Sequence, residues 1–198
     1  MALFTGKGDG GTTKLFDSKP GVRMSKSSPI FECLGQLDEL NTLTGWCKVA
    51  APRGFLVENR QCREILHDVQ NHLFTIQAEV AGAPKSVPQK SVEKLSELIN
   101  TIEKELPEIK TFFVTGGTPD IPAEKQSVAE FSARLDVARA VSRRAERRIV
   151  MLHESWERII SESSRAYANR LSSLFYALTR LVNDRAGITE IPPEYKNQ

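Results

Sequence analysis

Apolar residues recur along this chain at the three- and four-residue spacing of helices that bury one face. Cys33, Leu37, Leu40 and Cys47 share one stripe at about 100° per residue. Cys62, Leu66, Val69, Leu73, Ile76 and Val80 alternate steps of four and three, the spacing of a bundle seam. Val92, Leu95, Ile99, Ile102 and Leu106 form a shorter stripe. Phe131, Leu135, Ala138, Ala145, Ile149 and Leu152 form a fourth, and Ile160, Tyr167, Leu171, Leu174, Leu178 and Leu181 a fifth.

Breakers sit between these stripes. Ser28-Pro29 offers an N-cap with proline at the first helical position, so the first helix is predicted from there to about Ala50. Pro52 and Gly54 end it, Gly82 and Pro84 end the second, and Pro107 stops the third. The fourth is predicted to start near Ser127, and the fifth to run from about Trp156 to Asp184 with Gly187 as its cap. Strand alternation of useful length is absent. The expected fold is all-α: a five-helix bundle, built as a ferritin-like, four-helix-bundle-type core plus one helix. It forms a single domain over 1–198, with an irregular glycine-rich leader at 1–28, the bundle at 29–186 and a tail at 187–198. The loop from Glu108 to Gln126 is long for a compact bundle, which suits a functional loop.

Composition narrows the function classes. A chain of 198 residues suffices for one well-buried domain. A net charge of +2 creates no strong field for nucleic acid or a membrane surface, so any anion site must come from local clustering. Cys33, Cys47 and Cys62 are odd in number and lack metal-ligand spacing; they read as reduced, buried thiols of a cytoplasmic protein. Neither a signal peptide nor a bilayer-spanning apolar run is present in the sequence.

Clustering of that kind occurs in the fourth helix, at Arg139-Ala140-Val141-Ser142-Arg143-Arg144-Ala145-Glu146-Arg147-Arg148. Arg139, Arg143, Glu146 and Arg147 fall on one flank of the apolar stripe, Arg144 and Arg148 on the other. Guanidinium forks one turn apart suit a polyphosphate, and Glu146 can hold one fork or accept a ligand hydroxyl. The alternative is a solvated basic face.

The leader Thr5-Gly6-Lys7-Gly8-Asp9-Gly10-Gly11-Thr12-Thr13 lacks P-loop spacing. Its glycines can still expose N–H groups as a phosphate nest, with hydroxyls from Thr5, Thr12 and Thr13 and charge from Lys7 and Lys26. Asp38-Glu39 is costly to bury unpaired, and at an interface Arg139 is a matching partner type. Asn169 is either a satisfied core amide or a reader of base or ribose. Phe112-Phe113 is either a plug or a mobile aromatic wall.

In order, Gly8-Asp9-Gly10-Gly11-Thr12-Thr13, Lys26, Gly35 with Asp38-Glu39-Leu40, Phe112 with Gly116-Gly117, Ala138 through Arg147, and Asn169-Arg170-Leu171-Ser172 form a pattern covering most of residues 5–183. The chain thereby resembles the PduO-type ATP:cob(I)alamin adenosyltransferases. The resemblance implies a homotrimer that transfers the 5′-deoxyadenosyl group of ATP to Co(I) of cobalamin, giving adenosylcobalamin and triphosphate.

It places ATP on Thr5, Gly6, Lys7, Gly8, Asp9, Thr13, Lys14, Lys26, Arg143, Arg144, Glu146, Arg147 and Asn169. Asp38 and Arg139 match a pair bridging subunits beside the corrinoid, and Phe112 an aromatic that helps displace the lower axial ligand of cobalt. Arg139, Arg143, Asp38 and Phe112 are thus the expected catalytic set. Mg2+ is expected on the ATP phosphates rather than on protein ligands. A reductase and a cobalamin-dependent mutase are the implied partners.

The chain departs from that pattern in places. Asp136 stands where histidine is common, Ser173 where an acid is usual, Ala168 for a larger apolar residue and Thr115 for proline; the segment Gly117–Ser132 is longer. These departures leave room for a second reading, a non-catalytic carrier or sensor that binds ATP or adenosylcobalamin.

Overall fold

The structure, a computed structural model, describes residues 3–194. Five helices carry it: α1 (Pro29–Ala50), α2 (Cys62–Val80), α3 (Gln89–Glu105), α4 (Gln126–Glu154) and α5 (Glu162–Ala186). The dominant packing runs α2 against α1, α1 against α4, α4 against α5 and α5 against α3. α4 therefore lies inside the packing order, and only its two flanks remain available for chemistry.

The predicted stripes form the core. Cys33, Leu37 and Cys47 of α1, Leu66, Leu73, Ile76 and Val80 of α2, Phe131, Leu135 and Ala138 of α4, and Leu174 and Leu178 of α5 are all fully buried. Burial pushes the three thiols up to about 12, so they behave as small apolar side chains. At the end of α5, Gly187 takes a left-handed φ of 60°, and Ile188 N–H reaches back to Asn183 C=O at 2.8 Å. This helix stop satisfies carbonyls that would otherwise be orphaned, and it turns the chain back across α5.

Two expectations require correction. α5 begins at Glu162, not near Trp156. Trp156 has a φ of 61° and is exposed, while Ser161 caps the helix by accepting from Ser164 N–H. Ile160 is buried in the connection before the helix, and this continued the apolar register falsely. The leader is also more ordered than an irregular segment: β1 (Thr12–Thr13) pairs antiparallel with β2 (Met24–Ser25). A second miniature hairpin joins β3 (Leu56–Val57) to β4 (Arg60–Gln61). Its turn residues Glu58 and Asn59 both have positive φ, as a two-residue type I′ turn requires.

His72 of α2 joins three helices: its Nε2 lies 3.1 Å from Ser91 Oγ of α3, and its ring 4.7 Å from that of Tyr167 of α5. Burial lowers its pKa below the ordinary 6.5, against an opposing pull from Asp68. The unfolded chain therefore binds the proton more readily. Stability is full above about pH 6.5 and declines as pH falls through that value toward the lower folded one. The drop in melting temperature between about pH 7.5 and about pH 5 should be smaller in His72→Gln than in the wild type; an identical drop would acquit His72.

Candidate functional site

Steps of three and four residues put Arg139, Arg143, Glu146 and Arg147 on the α4 flank that faces α5 and the loop after α3. Arg139 and Arg143 line a cavity of about 490 Å3, closed by Ser172, Ser173 and Tyr176 of α5 and by Ile109–Phe113 of the loop. Farther along α4, Arg143, Glu146 and Arg147 line a second hollow of about 610 Å3 that reaches Glu154 and Ser155. Arg143 borders both. Asn169 of α5 donates from Nδ2 to Glu146 Oε1 at 2.6 Å, so Glu146 is occupied in orienting an amide rather than an arginine fork. Asn169 and Glu146 share a third hollow with Arg165 and Arg170.

The opposite flank of α4 has another task. Arg144 donates to Gln36 Oε1 and to both carboxylate oxygens of Glu39, and Arg148 pairs with Glu32 at 3.3 Å. These arginines pin α4 to α1 and are not brought to the first cavity within one chain. Asp38 is exposed on α1. Among the described residues the ion-pair partner of Arg139 is Asp136, with Nε to Oδ1 at 3.1 Å, and not Asp38. Burial raises the Asp136 pKa, while Arg139 pulls it back.

The loop splits its aromatic pair. Phe112 is 81% exposed at the cavity, whereas Phe113 is half-buried beneath the Arg180 guanidinium, 5.5 Å from its ring centre. Arg180 also donates to Pro107 C=O at 3.2 Å and to Glu190 Oε2 at 3.1 Å. Asn183 Nδ2 holds the other oxygen of Glu190, and Val114 N–H donates to Ile191 C=O at 2.8 Å. Gly117, at φ 73°, lies so near Ile188 that a Cβ there would approach to 2.9 Å. The chain after α5 therefore straps the loop down and leaves Phe112 outside the strap.

In the leader, Gly6 and Gly11 take positive φ, and turns close at Gly6–Asp9 and Gly8–Gly11. Arg23 clamps it, donating to Thr12 Oγ1 and to the carbonyls of Thr12 and Lys7. Lys26 brings its Nζ beside Gly8, 3.0 Å from where a Cβ would stand. Lys7, Gly8 and Lys26 are thus gathered, while Thr5, Asp9 and Lys14 are exposed and Thr13 is half-buried in β1. The leader is anchored to its own chain by Phe16 N–H on Ala81 C=O and by Asp17–Arg158 at 2.7 Å. That arginine holds the Asp17 carboxyl below its ordinary value. Neither Arg23 nor Tyr176 carries a sequence motif that announces it.

Comparison with known proteins gives a consistent picture. A family model described as Cobalamin adenosyltransferase matches residues 3–182. The corrinoid adenosyltransferase PduO of Citrobacter freundii is 36% identical over 187 residues, 91% of this chain and 49% of that protein, so the chain spans about half the length of this relative. The corrinoid adenosyltransferase of Bacillus subtilis is 33% identical over 200 residues, 98% of this chain and 93% of that one. Among solved structures, a phenylalanine-to-alanine variant of the PduO-type ATP:corrinoid adenosyltransferase of Lactobacillus reuteri, complexed with cobalamin and ATP, superposes with a TM-score of 0.78. Identity there is 26%, over 99% of this chain and all of that one.

Proposed function

Because the chain belongs to the cobalamin adenosyltransferase family, we propose that it transfers the 5′-deoxyadenosyl group of ATP to Co(I) of cobalamin, releasing triphosphate. The carrying observation is that Arg143 borders both hollows, the aromatic-walled one beside Phe112 and the polar one beside Glu146 and Arg147. Corrinoid in the first and nucleotide in the second would meet at that arginine.

Co(I) supplies the electron pair that forms the new bond to C5′; the C5′–O bond breaks and its pair leaves with triphosphate. Charge grows on the phosphate chain during this step, and preorganised guanidinium and ammonium donors stabilise it. Arg143, Arg147, Lys7 and Lys26 are such donors, and Asn169, held by Glu146, offers a fixed amide to the nucleoside. Among the described residues no three His, Cys, Asp or Glu side chains gather to hold a metal ion. Magnesium would arrive on the phosphate oxygens, where it acts as a Lewis acid. The protein then contributes orientation and charge, and no side chain needs to act as nucleophile.

The assembly we propose is a homotrimer. Each leader is anchored by its own chain at Ala81 and Arg158, which leaves the arginine flank of α4 to receive the leader and Asp38 of a neighbouring copy. We place the enzyme in the cytoplasm, where reduced thiols persist, supplied by a reductase and drained by a cobalamin-dependent mutase.

A spectrophotometric assay with purified protein, ATP, magnesium and reduced cobalamin tests the activity. The expected result is ATP-dependent conversion to adenosylcobalamin. Binding of ATP and cobalamin without conversion would replace this reading by a carrier or sensor, and a monomer in sedimentation would remove the shared site.

A further inference from the structure

Asp136 is a carboxylate that the reaction above does not use, yet it is only 8% exposed in the middle of α4. Burying such a group is costly, and a three-residue helix pair returns little stability. A chain selected for stability alone would place an apolar side chain there. Its one hydrogen-bond partner among the described residues is Arg139 Nε. The contact engages the inner nitrogen of the fork and leaves both terminal nitrogens unclaimed by Asp136. Arg139 is further bracketed by the Tyr176 ring, with the guanidinium carbon 5.9 Å from its centre, and it lines the cavity beside Phe112. The other ionisable groups coupled to Asp136 are Glu190 of the strap, a like charge that cannot replace Arg139 as its partner, and Tyr176, whose pKa burial raises.

We infer that Asp136 is a positioning residue: it holds the Arg139 guanidinium by its Nε, so that the terminal nitrogens stay available at the cavity for the neighbouring copy's Asp38 and the corrinoid beside it. This rests on the reading that puts corrinoid beside Arg139. An arginine held in advance at Nε loses less rotamer freedom when ligand arrives, so the effect belongs in corrinoid affinity rather than in turnover.

The test compares the wild-type enzyme with Asp136→Leu, Asp136→Asn, Arg139→Ala and the Asp136→Leu/Arg139→Ala double variant, in adenosylation assays at saturating ATP with cobalamin varied. Leucine matches the shape of the aspartate and suits a buried position, so that variant should fold with an unchanged melting temperature. The expected result is a corrinoid KM raised about tenfold in Asp136→Leu, with kcat and the KM for ATP nearly unmoved. Asn, which keeps an acceptor for Nε, should recover most of the affinity. The double variant should match Arg139→Ala alone.

Multiplying effects in the double variant, or a normal corrinoid KM in Asp136→Leu alongside a raised one in Arg139→Ala, would overturn the inference and spare the proposed function. A normal KM in Arg139→Ala would remove Arg139 from the corrinoid site and overturn the inference, whereas the proposed function fails only if the wild-type protein converts no cobalamin in the same assay.

Discussion

Arg143→Ala should lower kcat for adenosyl transfer by about a hundredfold to a thousandfold, with its helical circular dichroism and melting temperature close to wild type. The magnitude is that of deleting one preorganised donor aimed at charge that develops only in the transition state, about 3–4 kcal/mol. Arg143 has no ion-pair partner recorded among the described residues, unlike Arg139, Arg144 and Arg148, so its removal orphans no buried acid. Its position between the two hollows makes it the donor whose loss neither neighbour can cover. The decisive measurement is single-turnover transfer from ATP to pre-reduced cobalamin. Turnover near wild type would strip Arg143 of the role. Arg144→Ala is the contrast, because that side chain is committed to Gln36 and Glu39 of α1.

Phe112→Ala should discriminate between two forms of the substrate. An exposed ring at the cavity mouth, on a loop fixed from behind by Arg180 and Ile191, would keep water off one face of a corrin bound there as proposed. Without an axial ligand on that face, cobalt is easier to reduce. Adenosylation starting from cob(II)alamin, which must be reduced on the protein, should fall by about tenfold or more, the equivalent of about 1.4 kcal/mol in the barrier. Starting from chemically pre-reduced cob(I)alamin, the loss should be several times smaller. Equal losses on both substrates would show that the ring contributes binding area and nothing to the axial face.

The parts of the fold visible in the sequence share a cause, and so do the parts that were not. Stripes such as Cys62 to Val80 are local: a period of 3.6 residues records one buried face whatever lies opposite. The split of the α4 arginines into two flanks follows from the same geometry. What each flank touches does not, since it depends on α1 bringing Glu32 and Glu39 to one side and α5 bringing Tyr176 and Asn169 to the other. The sequence pattern places the start of α5 too early because Ile160 keeps the apolar register although the helix has not begun, and a serine cap three residues before Ser164 is a weak mark in a serine-rich stretch. Hairpins with two-residue strands are shorter than any alternation can register. The strap over the Phe112 loop joins Glu190 to Arg180 and Pro107, contacts across long sequence separations that leave no periodic trace.

The burial of Cys33, Cys47 and Cys62 has a practical corollary. Thiols pushed up to about 12 and shielded by the core will ignore maleimide dyes at neutral pH while the fold is intact. A cysteine introduced at Thr111, on the exposed rim beside Phe112, would then be the one addressable sulfur among the described residues. A fluorophore attached there would report on the aromatic wall in real time, with no background from the wild-type thiols.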